Sequence, residues 1–175
     1  KGGILEMVQL WVNLPAKDKK AKPAYQGIPN EQIPEVPLPG GAGIARVIAG
    51  EYSGVKGPTR TFTPMNVWDV RVKAGKRMDF SVQPGHTTVL FVLKGELKLG
   101  TGETVKGAEL AVFENEGIAF SVEAQEDTVL LFLNGEPIRE PVVGYGPFVM
   151  NTKAEIQQAF EDFQSGKMGQ LVNSR

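Results

Sequence analysis

Cysteine is absent from the 175 residues, and histidine occurs once, as His86. The first absence excludes disulfides, thiolate metal sites and thiol nucleophiles together. The second excludes a metal centre that draws two or three imidazoles from this chain. An excess of charge of one sign is also missing: 19 Lys and Arg face 20 Asp and Glu, for a formal net charge of −1. No overall field therefore draws the chain to nucleic acid or to an anionic membrane. No apolar run approaches the length of a membrane span, and no signal-peptide pattern opens the sequence. A cysteine-free chain suits a reducing cytosol, and a cytoplasmic location is the expectation. The sequence opens on Lys1 without a methionine and reads as a strand by Ile4. So abrupt a start leads us to expect a fragment of a longer protein.

What is present is mostly strand. In residues 4–14, Val8, Leu10, Val12 and Leu14 recur with period two, which predicts a buried or half-buried strand. Residues 15–42 then hold Pro15, Pro23, Pro29, Pro34, Pro37 and Pro39 of the 12 prolines, with the pair Gly40-Gly41. Proline fixes φ and lacks the ladder donor, so this stretch reads as an extended connection. The run Lys17, Lys19, Lys20, Lys22 within it reads as solvated linker. From residue 43 to 135, short apolar runs alternate with glycine turns. The runs are 44–49, 67–72, 78–82, 88–93, 96–99, 110–113, 118–122 and 128–133. Trp68, Val70 and Val72 alternate with Asp69, Arg71 and Lys73, the mark of a strand with one wet face. Residues 89–93 are apolar on both faces and predict a central strand. Turns are expected at Ala74-Gly75, Pro84-Gly85, Lys94-Gly95, Gly100-Thr101-Gly102, Glu116-Gly117 and Asn134-Gly135. About eight strands at this spacing predict an all-β sandwich or barrel.

One helix is expected, at about 152–165 within a carboxyl-terminal segment 136–175. Thr152 and Glu155 form a capping box, Ile156, Ala159, Phe160 and Phe163 share one face, and Gly166 ends it. The preceding residues 140–151 are irregular and apolar.

Catalytic patterns are few. No Gly-x-Ser-x-Gly elbow occurs, and no serine–acid pair accompanies His86, which reads as a turn or barrel-rim residue. Gly40–Gly43 and Gly100–Gly102 open no helix, so they read as turns rather than phosphate cradles. No calcium-loop spacing is present. Glu114, Glu116, Glu123, Glu126 and Asp127 fall near turns, where carboxylates are solvated rather than held apart in pKa. Trp11, Trp68 and the phenylalanines lack basic interleaving and read as core. The residues therefore nominate no catalytic, cofactor-binding or metal-binding position in this chain.

Three stretches carry a resemblance: Gln9–Pro15, Asn134–Pro141 (NGEPIREP) and Gly146–Thr152 (GPFVMNT), the last leading into the capped helix. Together they resemble the pirin family, whose members have two cupin barrels in tandem followed by a helix. The resemblance implies a cupin-type β-barrel or sandwich (jelly roll) with one carboxyl-terminal α-helix. Residues 1–14 would be the last strand of an otherwise missing first cupin, 15–42 a linker, 43–135 the second cupin, and 136–175 the tail. In the family the metal, usually iron, is held in the first cupin by three histidines and a glutamate. Those ligands would lie upstream of Gln9–Pro15, and no such role passes to Glu6. In the second barrel, His86 keeps one cupin-ligand position. Thr88 stands at the second, apolar residues at the glutamate, and Phe120 at the final histidine, with Asn115 in place of the usual proline and Gly117 retained. The expectation is a metal-free barrel, with iron or another divalent metal confined to the parent. By the same resemblance the parent would be a quercetin 2,3-dioxygenase-like oxidoreductase. The alternative is a non-catalytic module acting through protein partners, as transcription-linked animal pirins suggest. The apolar faces of 4–14 and 142–163 predict self-association as a dimer.

Overall fold

The structure, a computed structural model, describes residues 2–3 and 5–169. The chain divides into two units. One is Pro23–Pro137; the other combines the amino-terminal residues through Lys22 with those from Ile138 onward.

The larger unit is a β-sandwich. Its strands are β1 (Glu35–Pro37), β2 (Gly43–Ala49), β3 (Glu51–Tyr52), β4 (Val55–Lys56), β5 (Met65–Val72), β6 (Arg77–Ser81), β7 (Thr87–Lys94), β8 (Glu96–Leu99), β9 (Thr104–Lys106), β10 (Leu110–Phe113), β11 (Ala119–Ala124) and β12 (Thr128–Gly135). One sheet runs β1-β2-β5-β12-β7-β10 and the other β6-β11-β8-β9, while β3 and β4 form a small ribbon. Each ladder between these strands is antiparallel. This is the expected all-β cupin-type architecture.

Period-two patterning decides which side chains enter the core. In β5, Trp68, Val70 and Val72 are buried, whereas Arg71 is exposed. In β12, Leu130 and Phe132 point inward at 0% exposure. From the second sheet, Phe80, Leu97 and Val122 meet them. Burying side chains of this size contributes about 1.5–3 kcal/mol each, so the interior is the main source of stability. A line of packed aromatic rings crosses it. Tyr52 meets Trp68 edge-on at 4.9 Å, and Trp68 stacks on Phe132 at 4.1 Å. Phe132 stacks on Phe80 and Phe80 on Phe120, each at 5.0 Å, and Phe120 stacks on Phe113 at 4.0 Å.

Two expectations are corrected in this unit. The stretch 15–42 is not wholly a connection. Its later part supplies β1, which pairs with β2, and it places Leu38 and Ala42 in the core. The prolines are compatible with this because β1 is an edge strand, where a missing donor breaks no inner ladder. Asn134-Gly135 is not a turn but the end of β12. The asparagine side chain is satisfied inside the sheet, so nothing forces the chain to reverse there.

In the smaller unit, β13 (Val143–Tyr145) and β14 (Phe148–Met150) form a hairpin, followed by helix α1 (Lys153–Gln164). The hairpin turns at Gly146, where φ is +57°. The Thr152 hydroxyl accepts from the Glu155 amide at 3.2 Å, and the Glu155 carboxylate accepts from the Thr152 hydroxyl at 2.9 Å and the Asn151 amide at 3.1 Å. These bonds cap the helix at the predicted position. Ile156 and Ala159 are buried, and Phe160 packs edge-on against Phe148 at 5.0 Å. Phe163, expected on the same face, is 64% exposed. The Glu140 carboxylate ties the unit's two chain segments together. It accepts from the Ala16 amide at 2.7 Å and from Asn151 Nδ2 at 2.9 Å.

The strand expected at 4–14 does not form among the described residues. Ile4 lies outside them, and residues 5–14 carry no ladder, with Leu5, Met7 and Trp11 at 75% exposure or more. The alternation is real, but a strand needs a neighbour to take its backbone hydrogen bonds.

Candidate functional site

The positions where a cupin gathers its ligands lie just before and along β7 and at the start of β11, with the end of β12 beside the first of them. The Pro84-Gly85 turn closes through the His86 amide, which donates to the Gln83 carbonyl at 3.2 Å. Gly85 in turn donates to the Asn115 carbonyl at 3.2 Å, so the turns carrying the two motif stretches meet. The alternation of β7 sends Thr88 inward, 2% exposed, with Leu90 and Val92 following at 0%. His86 is half-buried just before the strand.

Asn134 organises this region. It is 5% exposed and stands directly across from Thr88 on one side and from Asn66 on the other. Its Nδ2 donates to Thr88 Oγ1 at 3.0 Å and reaches the Thr87 carbonyl at 3.5 Å. A carbonyl can only accept, which fixes the orientation of the amide. Its Oδ1 therefore accepts from Asn66 Nδ2 at 3.2 Å and from His86 Nδ1, also at 3.2 Å. Asn66 Oδ1 accepts in turn from the Glu51 backbone amide at 3.0 Å. This arrangement places a proton on His86 Nδ1. Sequence reasoning missed Asn66 and Asn134. The available signal was parity: Asn134 shares the inward register of Leu130 and Phe132.

Phe120, at the position of the final histidine, is clamped between Phe80 and Phe113. The set at the ligand positions is thus one imidazole committed through Nδ1, one hydroxyl bonded to an amide, buried hydrocarbon and a stacked phenyl ring. These residues do not fit a divalent-metal centre, which draws on imidazole, carboxylate or thiolate donors. Among the described residues no three His, Asp or Glu side chains come together. Glu114, Glu116, Glu123, Glu126 and Asp127 are all exposed, and Asp127 caps a turn by accepting from the Ala74 amide at 2.9 Å. Among the described residues, no helix is long and apolar enough to cross a membrane.

Residues 67–169 match the pirin C-terminal cupin domain. A Pseudomonas aeruginosa protein provisionally named a quercetin 2,3-dioxygenase is 49% identical over 166 residues, covering 95% of this chain and 58% of that protein. Human pirin is 36% identical over 167 residues, covering 93% of this chain and 57% of its own length. The crystal structure of quercetin 2,3-dioxygenase from Acinetobacter baumannii superposes with a TM-score of 0.87 at 44% identity, over 93% of this chain and 56% of that one. The chain thus spans somewhat more than half the length of these relatives. The domain match, the relatives and the shared fold agree, and the chain belongs to the pirin family.

Proposed function

We propose that this chain serves as the metal-free carboxyl-terminal cupin half of a pirin-like protein, and that the parent is an iron-dependent oxidoreductase of quercetin-like flavonols. One observation carries the reading for the chain itself. Thr88 and Phe120 stand where cupin ligands would, and each is built into a network of its own, Thr88 with Asn134 and Phe120 with its flanking rings. The similarity to proteins named quercetin 2,3-dioxygenase supports the reading for the parent. Iron, substrate and a cytoplasmic setting belong to that proposal. The test is quercetin turnover by recombinant 1–175 supplied with ferrous iron, beside the full-length parent. The parent should turn over and the chain should not; appreciable turnover by the chain would overturn the assignment of its barrel.

A second role concerns association. Leu5, Met7, Trp11 and Val12 are exposed, as are Val142, Tyr145 and Phe163, all within the smaller unit. Apolar surface of this kind favours burial against a partner, and we propose that the isolated chain self-associates through residues 5–14 and 142–163. A monomeric mass by light scattering at high concentration would refute it.

A further inference from the structure

We propose that a cleft on the larger sheet binds an aliphatic carboxylate, its head group held by Arg71, Lys73 and Lys94 and its chain laid against Ile44 and Val129. The site lies away from the cupin-ligand positions, and the proposal does not depend on the flavonol reading.

A cleft of about 430 Å³ lies at the ends of β7 and β12 remote from His86 and Asn134. That volume suits a small molecule, for which sites run roughly 300–1,000 Å³. Strand register builds it. Ile44, Arg71, Val129 and Lys94 stand in a single row across β2, β5, β12 and β7. Period two sends Val70, Val72 and Leu130 into the core, so Arg71 and Val129 stand on the outer side of the sheet. Ile44 and Val129 are half-buried and give the cleft an aliphatic floor. Among the described residues no aromatic ring lines it. Nothing in it stacks on a flat guest, and a hydrocarbon chain is what that floor fits.

Charge selects the other end of the guest. Arg71, Lys73 and Lys94 all line the cleft and are exposed. Among the described residues Lys73 and Lys94 have no acidic partner. Arg71 has only Asp69, 3.5 Å away, which already holds Arg46 at 2.8 Å. Asp127 is the one acid in the lining, and its Oδ1 is taken by the Ala74 amide. The cleft is therefore positive in a chain whose formal net charge is −1. A local surplus of this sign attracts an anion and repels a cation. Asp127 offsets one of the three cations and Asp69 draws on Arg71, so the charge left over matches a monoanion rather than a phosphate dianion. Arg71 and Lys94 are two strands apart, about 10 Å, with Val129 between them. A head group above Val129 lies within reach of both long side chains, and a carboxylate presents the paired oxygens that a guanidinium fork matches.

The test compares three probes with the same eight-carbon chain and different head groups: octanoate, 1-octanol and octylammonium. Each is titrated into the full chain at neutral pH and low salt, following backbone amide shifts. The expected result is one saturable site for octanoate, with shifts gathered at residues 43–44, 71–73, 94 and 127–129. 1-Octanol should bind about tenfold more weakly, the difference made by hydrogen bonds to charged groups, and octylammonium should not saturate. Hexanoate, two methylenes shorter, should bind about fivefold more weakly than octanoate, because an open floor buries only part of each methylene. Lys94→Gln keeps most of the stem and removes the charge on an exposed side chain. It should weaken octanoate about fivefold and leave 1-octanol unchanged, and Lys73→Gln should act in the same direction. Absence of saturable octanoate binding would overturn the proposal. So would shifts centred elsewhere, equal affinity for octanoate and 1-octanol or for octanoate and hexanoate, or an octanoate affinity unchanged in both lysine variants.

Discussion

Asn134 and Thr88 face each other across the ladder between β12 and β7, and the amide of the first donates to the hydroxyl of the second at 3.0 Å inside the barrel. Asn66 faces Asn134 from the other side, so three polar residues cross the sheet in one row. A buried row of this kind is favourable only while every member has a partner. Asn134→Leu removes the central member and strands Thr88 Oγ1 at a site 2% exposed. We expect a loss of about 2–4 kcal/mol in urea unfolding. Adding Thr88→Val should recover about 1 kcal/mol, because the orphaned hydroxyl is then gone. A double variant no more stable than Asn134→Leu would show that the row is not the source of the loss.

Replacing Phe120 with histidine restores one cupin-ligand type without restoring a site. His86 can offer only Nε2, its Nδ1 being bonded to Asn134, and Thr88 and the apolar residues that follow it in β7 add no imidazole, carboxylate or thiolate, so at most two ligands would be present. Phe120→His should cost about 2–3 kcal/mol through lost stacking with Phe80 and Phe113. Calorimetric titration with Ni²⁺ or Zn²⁺ should detect no tight site in that variant. Micromolar or tighter binding would show that the barrel supplies more ligands than these two imidazoles.

Gly43 and Gly75 have positive φ for different reasons, and alanine distinguishes them. At Gly43, φ +149°, a Cβ would lie 1.8 Å from the Arg71 carbonyl oxygen of the neighbouring strand. At Gly75, φ +68°, a Cβ would meet nothing within 4 Å. Gly75→Ala should therefore cost about 1 kcal/mol, the ordinary left-handed penalty. Gly43→Ala must displace a backbone and should cost more than about 3 kcal/mol or abolish folding. Thermal unfolding of the pair reads the contrast directly.

The Glu155 carboxyl is held below the usual carboxylate range, first by the Thr152 hydroxyl and then by backbone amides at the helix start. A folded-state pKa below the unfolded one means that the charged form is preferred in the fold. Its contribution is complete above about pH 5, erodes as pH falls past the ordinary glutamate value of ~4.3, and is gone below the depressed value. Asp162, lowered first by Lys167 and then by Gln158, acts in the same sense. Amide hydrogen exchange in 153–164 should therefore quicken on acidification through that window, and Glu155→Gln should flatten much of the response.

The barrel was legible because its signal is local. Each of the eight apolar runs corresponds to a strand, and glycine or proline turns separate most of them. What escaped was set by partners distant in sequence. β9 holds one buried residue, Val105, in three, too few for periodicity to register. β1 is a strand because β2 lies beside it, despite Pro37 within it. Asn134-Gly135 has the composition of a turn, and the strands that satisfy the asparagine begin more than 40 residues earlier. Conversely, residues 5–14 have the alternation of a strand and no ladder among the described residues. At the ligand positions, the identities of His86, Thr88 and Phe120 could be read directly, but the asparagine pair that occupies His86 and Thr88 could not.

The aromatic line through the barrel also makes the chain its own optical reporter. Trp68 is 4% exposed, stacked at 4.1 Å on Phe132, and its Nε1 finds no acceptor among the described residues. Trp11, in the other unit, is 78% exposed. With two tryptophans in all, emission divides into a blue-shifted fraction shielded from acrylamide and a red-shifted fraction open to it. Unfolding followed at short wavelength tracks the sandwich, while quenching at long wavelength tracks the amino-terminal segment. Coincidence or separation of the two curves measures whether the units unfold together, without adding a label.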